Sequence, residues 1–214
     1  MGNIVFSMPR ELVLKFKEKG AIENFVETGT YKGGTSFWAA EHFKQVYTIE
    51  IDPNISAATK ANPKCPSNIQ FYVGNSKDRL PEIVPELKGR SLFWLDGHWC
   101  NVSSFGKEDE CPVLEEIIAV SQLKDPVILI DDCRAFLGPL PPPHDNDKWP
   151  RIDEIIVLLK HYFPESLCTI CDDVIYCIPK DLIGVFNEDW INGYKERFFP
   201  RPPFFKRIWN KLFK

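Results

Sequence analysis

The residues with the most chemical content begin at position 27, in ETGTYKGGTSFW (27–38). A short apolar run precedes this stretch and a helix-compatible run, SFWAAEHF, follows it. A glycine-rich turn between a strand and a helix commonly holds an anionic or nucleotide ligand, because backbone N–H groups there lack partners. Gly29 and Gly34 have the spacing of a phosphate-binding loop, but Thr35 stands where the lysine should be and Lys32 comes too early. Without that cation a triphosphate loses its main charge partner. Tyr31 occupies the position where a dinucleotide-binding turn has its second glycine. Glu27 points the same way, since a carboxylate at the end of a strand repels phosphate and suits an ammonium or hydroxyl groups.

S-adenosylmethionine has a free amino-acid end and a ribose but no phosphate. Gly29 and Gly33 would let the backbone approach such a ligand closely. A surface turn with a capping acid is the other reading of these residues. The later runs extend the pattern. VYTIEID ends in Glu50 and Asp52, and Glu50 lies about twenty residues past the turn, where an acid can accept hydrogen bonds from ribose hydroxyls. FYVGNSKD carries Asn75, Ser76 and Asp78 within reach of an adenine. LFWLDGHW and VILIDD bring Asp96, Asp131 and Asp132 to strand ends. Three carboxylates on one rim repel one another unless a cation sits between them, and an incomplete set of oxygen ligands suits Mg²⁺. Any one of these aspartates alone is equally a helix or turn cap. His98 is the first candidate for a base, because imidazole titrates near neutrality and sits close to Asp96. A structural His–carboxylate pair is its competing role. His144 is a second, weaker candidate. Trp99 and Trp149 are candidate walls of a substrate pocket, with ordinary loop packing as the alternative.

Elements must hold these residues in place. Strand-like runs at 24–27, 45–51, 69–73, 92–96 and 127–131 alternate with helix-like stretches at 35–42, 55–60, 80–86, 113–123 and 151–162. An amphipathic helix at 9–20 comes first. The alternation predicts an α/β fold with a Rossmann-like, doubly wound, mostly parallel sheet. Runs at 167–170 and 174–178 flank a short turn and predict a C-terminal antiparallel hairpin. Two segments, 97–111 and the proline-rich 138–150, follow strands that end in Asp. Both are candidate lids, because ligands of open α/β sheets bind at the carboxyl ends of strands.

Length, charge and cysteines bound the rest. The 214 residues suit one domain, expected over 1–200, with a separate tail at 201–214. A net charge of −4 argues against a general nucleic-acid surface. Seven cysteines, several within strand-like runs, fit a reduced, cytoplasmic protein. Cys168 and Cys171 have C-x-x-C spacing, but in a strand they would point to opposite faces and pack as apolar side chains. In the tail, Phe204, Ile208 and Leu212 form one row and Phe205, Trp209 and Phe213 the next. Arg201, Lys206, Arg207, Lys211 and Lys214 supply five bases with no acid. A basic, aromatic, amphipathic helix of this kind fits peripheral contact with a membrane, or packing on its own domain or on a second subunit of a homo-oligomer.

ETGTYKGG, TIEIDP, GNSKD, LDGHW and IDD, in that order, resemble the class I S-adenosylmethionine-dependent methyltransferases over roughly 24–178. The set is most similar to the metal-dependent O-methyltransferases of the catechol and macrocin types. The resemblance implies that Glu27, Gly29, Tyr31, Gly33 and Thr35 surround the methionine end of the donor. It implies that Glu50 holds the ribose, Ser76 meets the adenine, and Asp96, Asp131 and Asp132 bind magnesium. Catechol-type enzymes place a lysine base just after this point of the fourth strand, whereas here the residue after Trp99 is Cys100. The expected function is transfer of a methyl group from S-adenosylmethionine to a hydroxyl of a sugar or other small hydroxylated molecule, with Asp96 and His98 at the reacting centre. A metal-dependent hydroxylase-like enzyme and a non-catalytic donor-binding protein are the alternatives.

Overall fold

A computed structural model of the chain describes residues 8–100 and 105–198. The strands are β1 (Ile22–Thr28), β2 (Gln45–Glu50), β3 (Ile69–Val73), β4 (Arg90–Leu95), β5 (Val127–Ile130), β6 (Leu167–Cys171) and β7 (Val174–Ile178). The helices are α1 (Arg10–Gly20), α2 (Gly34–Ala40), α3 (Pro53–Lys60), α4 (Ser76–Ile83), α5 (Val113–Val120), α6 (Ile152–Tyr162) and α7 (Ile183–Phe198). All strands join one sheet in the order β3-β2-β1-β4-β5-β7-β6. The first five are parallel, and β7 runs antiparallel to both β5 and β6. The strand order reverses between β1 and β4, the switch point at which a doubly wound sheet opens a crevice.

Both faces of the sheet are covered, as parallel strands require. Leu92 and Trp94 of β4 and Val127 and Leu129 of β5 enter one core with Phe16 of α1 and Phe186 of α7. Phe93, Leu95, Ile128 and Ile130 alternate with them and enter the other core, with Ile83, Ile117 and Ile155 of α4, α5 and α6. Cys168 packs against this second core and Cys171 against the first, so the C-x-x-C pair is split by the period of the strand as expected.

Differences from the sequence reading are local. Helix α4 starts at Ser76 rather than at 80, because the Asn75 side chain caps it by accepting from the Lys77 N–H. Helix α7 was not anticipated. It buries only Phe186 fully, so its sequence carries little apolar period. The proposed tail helix at 201–214 lies outside the described residues. No helix among the described residues is long and apolar enough to cross a membrane.

Candidate active site

The carboxyl ends of β1, β2 and β4 open onto a cavity of about 330 Å³, lined by Gly29, Tyr31, Glu50, Asn75, Ser76, Asp96, His98 and Trp99 among others. That volume lies at the small end of the range for small-molecule sites. Backbone bonds hold the rim together. The Gly29 N–H donates to Ile49 O at 2.9 Å and the Asp96 N–H to Thr28 O at 3.2 Å.

Glu50 is buried at the end of β2. Its Oε2 accepts from the Tyr31 N–H at 2.8 Å and its Oε1 from the Asp52 N–H at 3.0 Å. Each oxygen keeps a second lone pair, so the carboxylate is fixed and still able to accept from a ligand. Tyr31 lines the cavity with a left-handed backbone, φ 46°. Asn75 also lines it, with its Nδ2 donating to Asp109 Oδ2 at 2.8 Å.

The glycine turn divides its labour differently from expectation. Gly29 lines the cavity, but a Cβ on it would first meet the carbonyl oxygen of Asp96, so its bareness lets β1 and β4 close together. Gly33, φ 75°, begins α2 away from the cavity, and a Cβ there would meet Thr59 and Phe37. Glu27 also stands behind the cavity. It is buried and accepts hydrogen bonds from the hydroxyls of Ser36 and Thr48, the latter at 2.9 Å. Burial pushes its pKa up to about 7, against the pull of the Ser36, Thr48 and Thr35 hydroxyls. Thr35, like Glu27 and Gly33, does not line the cavity.

Asp96, Asp131 and Asp132 do share one rim, but His98 and Arg134 lie among them. His98 Nε2 is 2.8 Å from Asp132 Oδ2, and its Nδ1 is 3.7 Å from Asp96 Oδ1. Arg134 Nη1 is 2.8 Å from Asp132 Oδ1 and also grips Asp173. Asp131 Oδ1 accepts from the Asp132 N–H at 2.8 Å. Both oxygens of Asp132 are thus engaged, and among the described residues no three His, Cys, Asp or Glu side chains are grouped to hold a metal ion. As arranged, the three aspartates pair with protein groups and do not surround one common ion position. The repulsion noted in the sequence is relieved instead by His98 and Arg134. Burial pulls the His98 pKa down, but the Asp132 hydrogen bond and the charges of Asp96, Asp132 and Asp131 outweigh it and the net shift is up. Burial lifts Asp96 well above the usual carboxylate range, and His98 counters only part of this. Burial likewise lifts Asp131. Burial acts on Asp132 in the same sense, yet His98 and Arg134 bring it below its usual value.

Two further acids escaped the sequence reading. Glu110 is buried where the two predicted lids meet. Its Oε2 accepts from Trp149 Nε1 at 2.8 Å and lies 3.1 Å from His144 Nδ1, while Oε1 accepts from the Asp145 N–H at 3.1 Å. Burial alone would raise its pKa, but these three donors bring it down. Trp99 donates its N–H to Glu110 O at 2.7 Å and lines the cavity, whereas Trp149 packs against Phe136 and His98. His144, the second candidate for a base, is part of a clasp between loops and does not line the cavity, whereas Trp99 does.

Glu116 of α5 is the second. It is buried beside the hydroxyls of Ser76 and Thr28, and its Oε1 has no hydrogen-bond partner among the described residues. A legible signal existed, since 113, 116, 117 and 120 share one helical face and the other three are apolar. Burial pushes its pKa up to about 7. The folded chain therefore holds this proton at pH values where the unfolded chain has released it, which favours folding at low pH. That contribution is lost as pH rises from the unfolded value through about 7. Between pH 5 and pH 8, Glu116→Gln should lose less stability than the wild type by on the order of 3 kcal/mol. Urea unfolding of both proteins at the two pH values measures the difference, and parallel pH profiles would remove the buried-proton account.

No family model matches the sequence, and no curated protein does either. Solved structures match it over most of its length at low identity. A candidate caffeoyl-CoA O-methyltransferase from Staphylococcus aureus superposes with a TM-score of 0.54 at 12% identity, covering 83% of this chain and 86% of that one. A candidate methyltransferase from Streptococcus mutans, solved with S-adenosylhomocysteine, gives 0.51 at 14% identity, covering 81% of this chain and 97% of that one. At such identities the likeness is one of fold. The chain has the Rossmann-like fold of the class I S-adenosylmethionine-dependent methyltransferases.

Proposed function

We propose that the protein is an S-adenosylmethionine-dependent methyltransferase that methylates a hydroxyl of a sugar or another small hydroxylated molecule. The observation that carries this reading is Glu50, a carboxylate immobilised by two backbone N–H groups on the wall of the cavity in this fold. It would accept hydrogen bonds from the two ribose hydroxyls, and Ser76 and Asn75, on the same wall, would meet the adenine. S-adenosylmethionine, when bound, supplies an electrophilic methyl group on a sulfonium. Asp96 borders that end of the cavity, and its raised pKa makes it a stronger proton acceptor than an ordinary carboxylate. It takes the proton from the acceptor hydroxyl, and His98, pressed between Asp96 and Asp132, stabilises the charge. Trp99 and the clasped loops keep water from the reacting atoms, where alignment supplies much of the rate.

No step is routed through magnesium, because the three aspartates are paired with protein groups and not grouped around one ion position. Calorimetry should detect binding of S-adenosylhomocysteine to the wild type, and methyl transfer to a panel of sugars and polyols should persist in a chelator. Absence of binding would remove the methyl-donor reading. Binding with no transfer to any acceptor would favour a donor-binding protein without turnover, and abolition by the chelator would restore the metal.

A further inference from the structure

We propose that the exposed aromatic face of α7 docks on an anionic membrane surface, with the acceptor side of the cavity turned towards the lipid headgroups. On α7, Trp190, Ile191, Tyr194 and Phe198 fall on one side of the helix, and they are 44%, 49%, 45% and 63% exposed. Tryptophan and tyrosine in such a row suit the boundary between headgroups and acyl chains. By helical spacing Lys195 and Arg197 flank the row on either side, whereas Asp189 and Glu196 fall on the opposite side, where Asp189 bonds Lys15 of α1 at 2.6 Å. The face therefore combines apolar side chains with Lys195, in line with Glu188, at one edge and Arg197, paired with Asp172, at the other.

The position of this face in the fold gives the docking a direction. Because β7 is antiparallel to both neighbours, β6 runs parallel to β5, and the β6–β7 turn lies on the same rim as Asp131. Arg197 Nη1 meets Asp172 Oδ1 of that turn at 3.1 Å. The adjoining Asp173 accepts from the Arg134 N–H at 2.8 Å, and Arg134 in turn holds Asp132 beside His98. Ion pairs on either side of the Asp172–Asp173 peptide thus link one edge of the aromatic face to the rim that carries Asp132 and His98. The described chain ends on the same face, at Phe198. The sequence that follows, FPRPPFFKRIWNKLFK, carries five bases and no acid. Such a segment draws its neighbourhood towards anionic lipid despite the chain's net charge of −4.

Docking itself does not depend on the methyltransferase reading. The orientation does, and it implies an acceptor hydroxyl carried on a membrane-bound molecule. The test is co-sedimentation of the full chain with phosphatidylcholine vesicles with and without phosphatidylglycerol, with S-adenosylhomocysteine calorimetry and thermal melting on the same samples. Wild type should sediment with the anionic vesicles and be released by raised salt. Ile191→Glu combined with Phe198→Glu should cut the bound fraction about fivefold or more while melting and donor binding stay unchanged. A control charge at another exposed apolar position, Val157→Glu on α6, should leave sedimentation unaltered. Wild type left in the supernatant would overturn the proposal, and so would an α7 variant that sediments like wild type. A dimer seen by light scattering that the α7 variant dissolves, without vesicle binding, would assign the face to a second copy of the chain and overturn it too. Failure of donor binding alone would strike the methyltransferase reading and leave docking to be judged by the vesicles.

Discussion

Glu50→Ala should reduce affinity for S-adenosylhomocysteine by a hundredfold or more, the largest effect of any single binding-site change. The carboxylate would accept two hydrogen bonds from the ribose, each to a charged group and worth about 1.5–3 kcal/mol, so the pair amounts to about 3–6 kcal/mol. Truncation also strips the Tyr31 and Asp52 N–H groups of their acceptor, which loosens the glycine turn at one end and the start of α3 at the other. Glu50→Gln keeps the shape and part of the accepting capacity, so it should fall between wild type and alanine. Titration calorimetry measures all three. An alanine variant within about fivefold of wild type would place the ribose elsewhere in the cavity.

Gly29→Ala should be the most destabilising conservative change in the site. The backbone at Gly29 has φ 87°, a conformation that costs an L side chain energy by itself. Its added methyl would also run into the Asp96 carbonyl oxygen, which is backbone and cannot swing aside. Together these should cost about 3 kcal/mol or more. That corresponds to a fall in Tm of about 6–12 °C for a chain of this size. Because the atom that must yield belongs to Asp96, donor binding and transfer should fall with stability. Gly34→Ala is the matched control, since nothing lies within 4 Å of a Cβ there. A Gly29 variant that melts like the Gly34 one would mean that the two strands have room to separate.

Much of the fold could be read from sequence, because both faces of the sheet are covered and each of the five parallel strands is a short run closed by an acid or a glycine. VILI buries all four side chains, two into each core. Glu50, Gly29 and Asp96 were legible for the same reason, since the end of a strand fixes where its next residue stands. Glu27 carried the same signal one residue too early. It is still within β1, so its side chain turns into the packed layer under α2 rather than into the cavity. The partners of the aspartates could not be read from spacing. His98 meets Asp132 only after β4 and β5 pair, and Arg134 meets Asp173 only after β5 and β7 pair. Glu110 was equally silent, since its partners stand 34 to 39 residues along the chain. Helix α7 was missed because Phe186 is its one fully buried side chain, so little in its pattern separates it from a solvated segment.

If the cavity takes the proposed donor, the Glu110 clasp would couple it to whatever binds against the 138–150 loop. Trp99 and Asp109 border the cavity, while His144, Asp145 and Trp149 belong to the other loop, where the Glu110 carboxylate holds all three. A molecule that steadied the second loop and thereby changed affinity for the donor would have its own affinity changed by the donor by the same factor. Order of addition would then be a property of the enzyme rather than of the assay. Donor binding first would tighten the loop that receives the acceptor, and exchange of the spent donor would wait on the acceptor's departure.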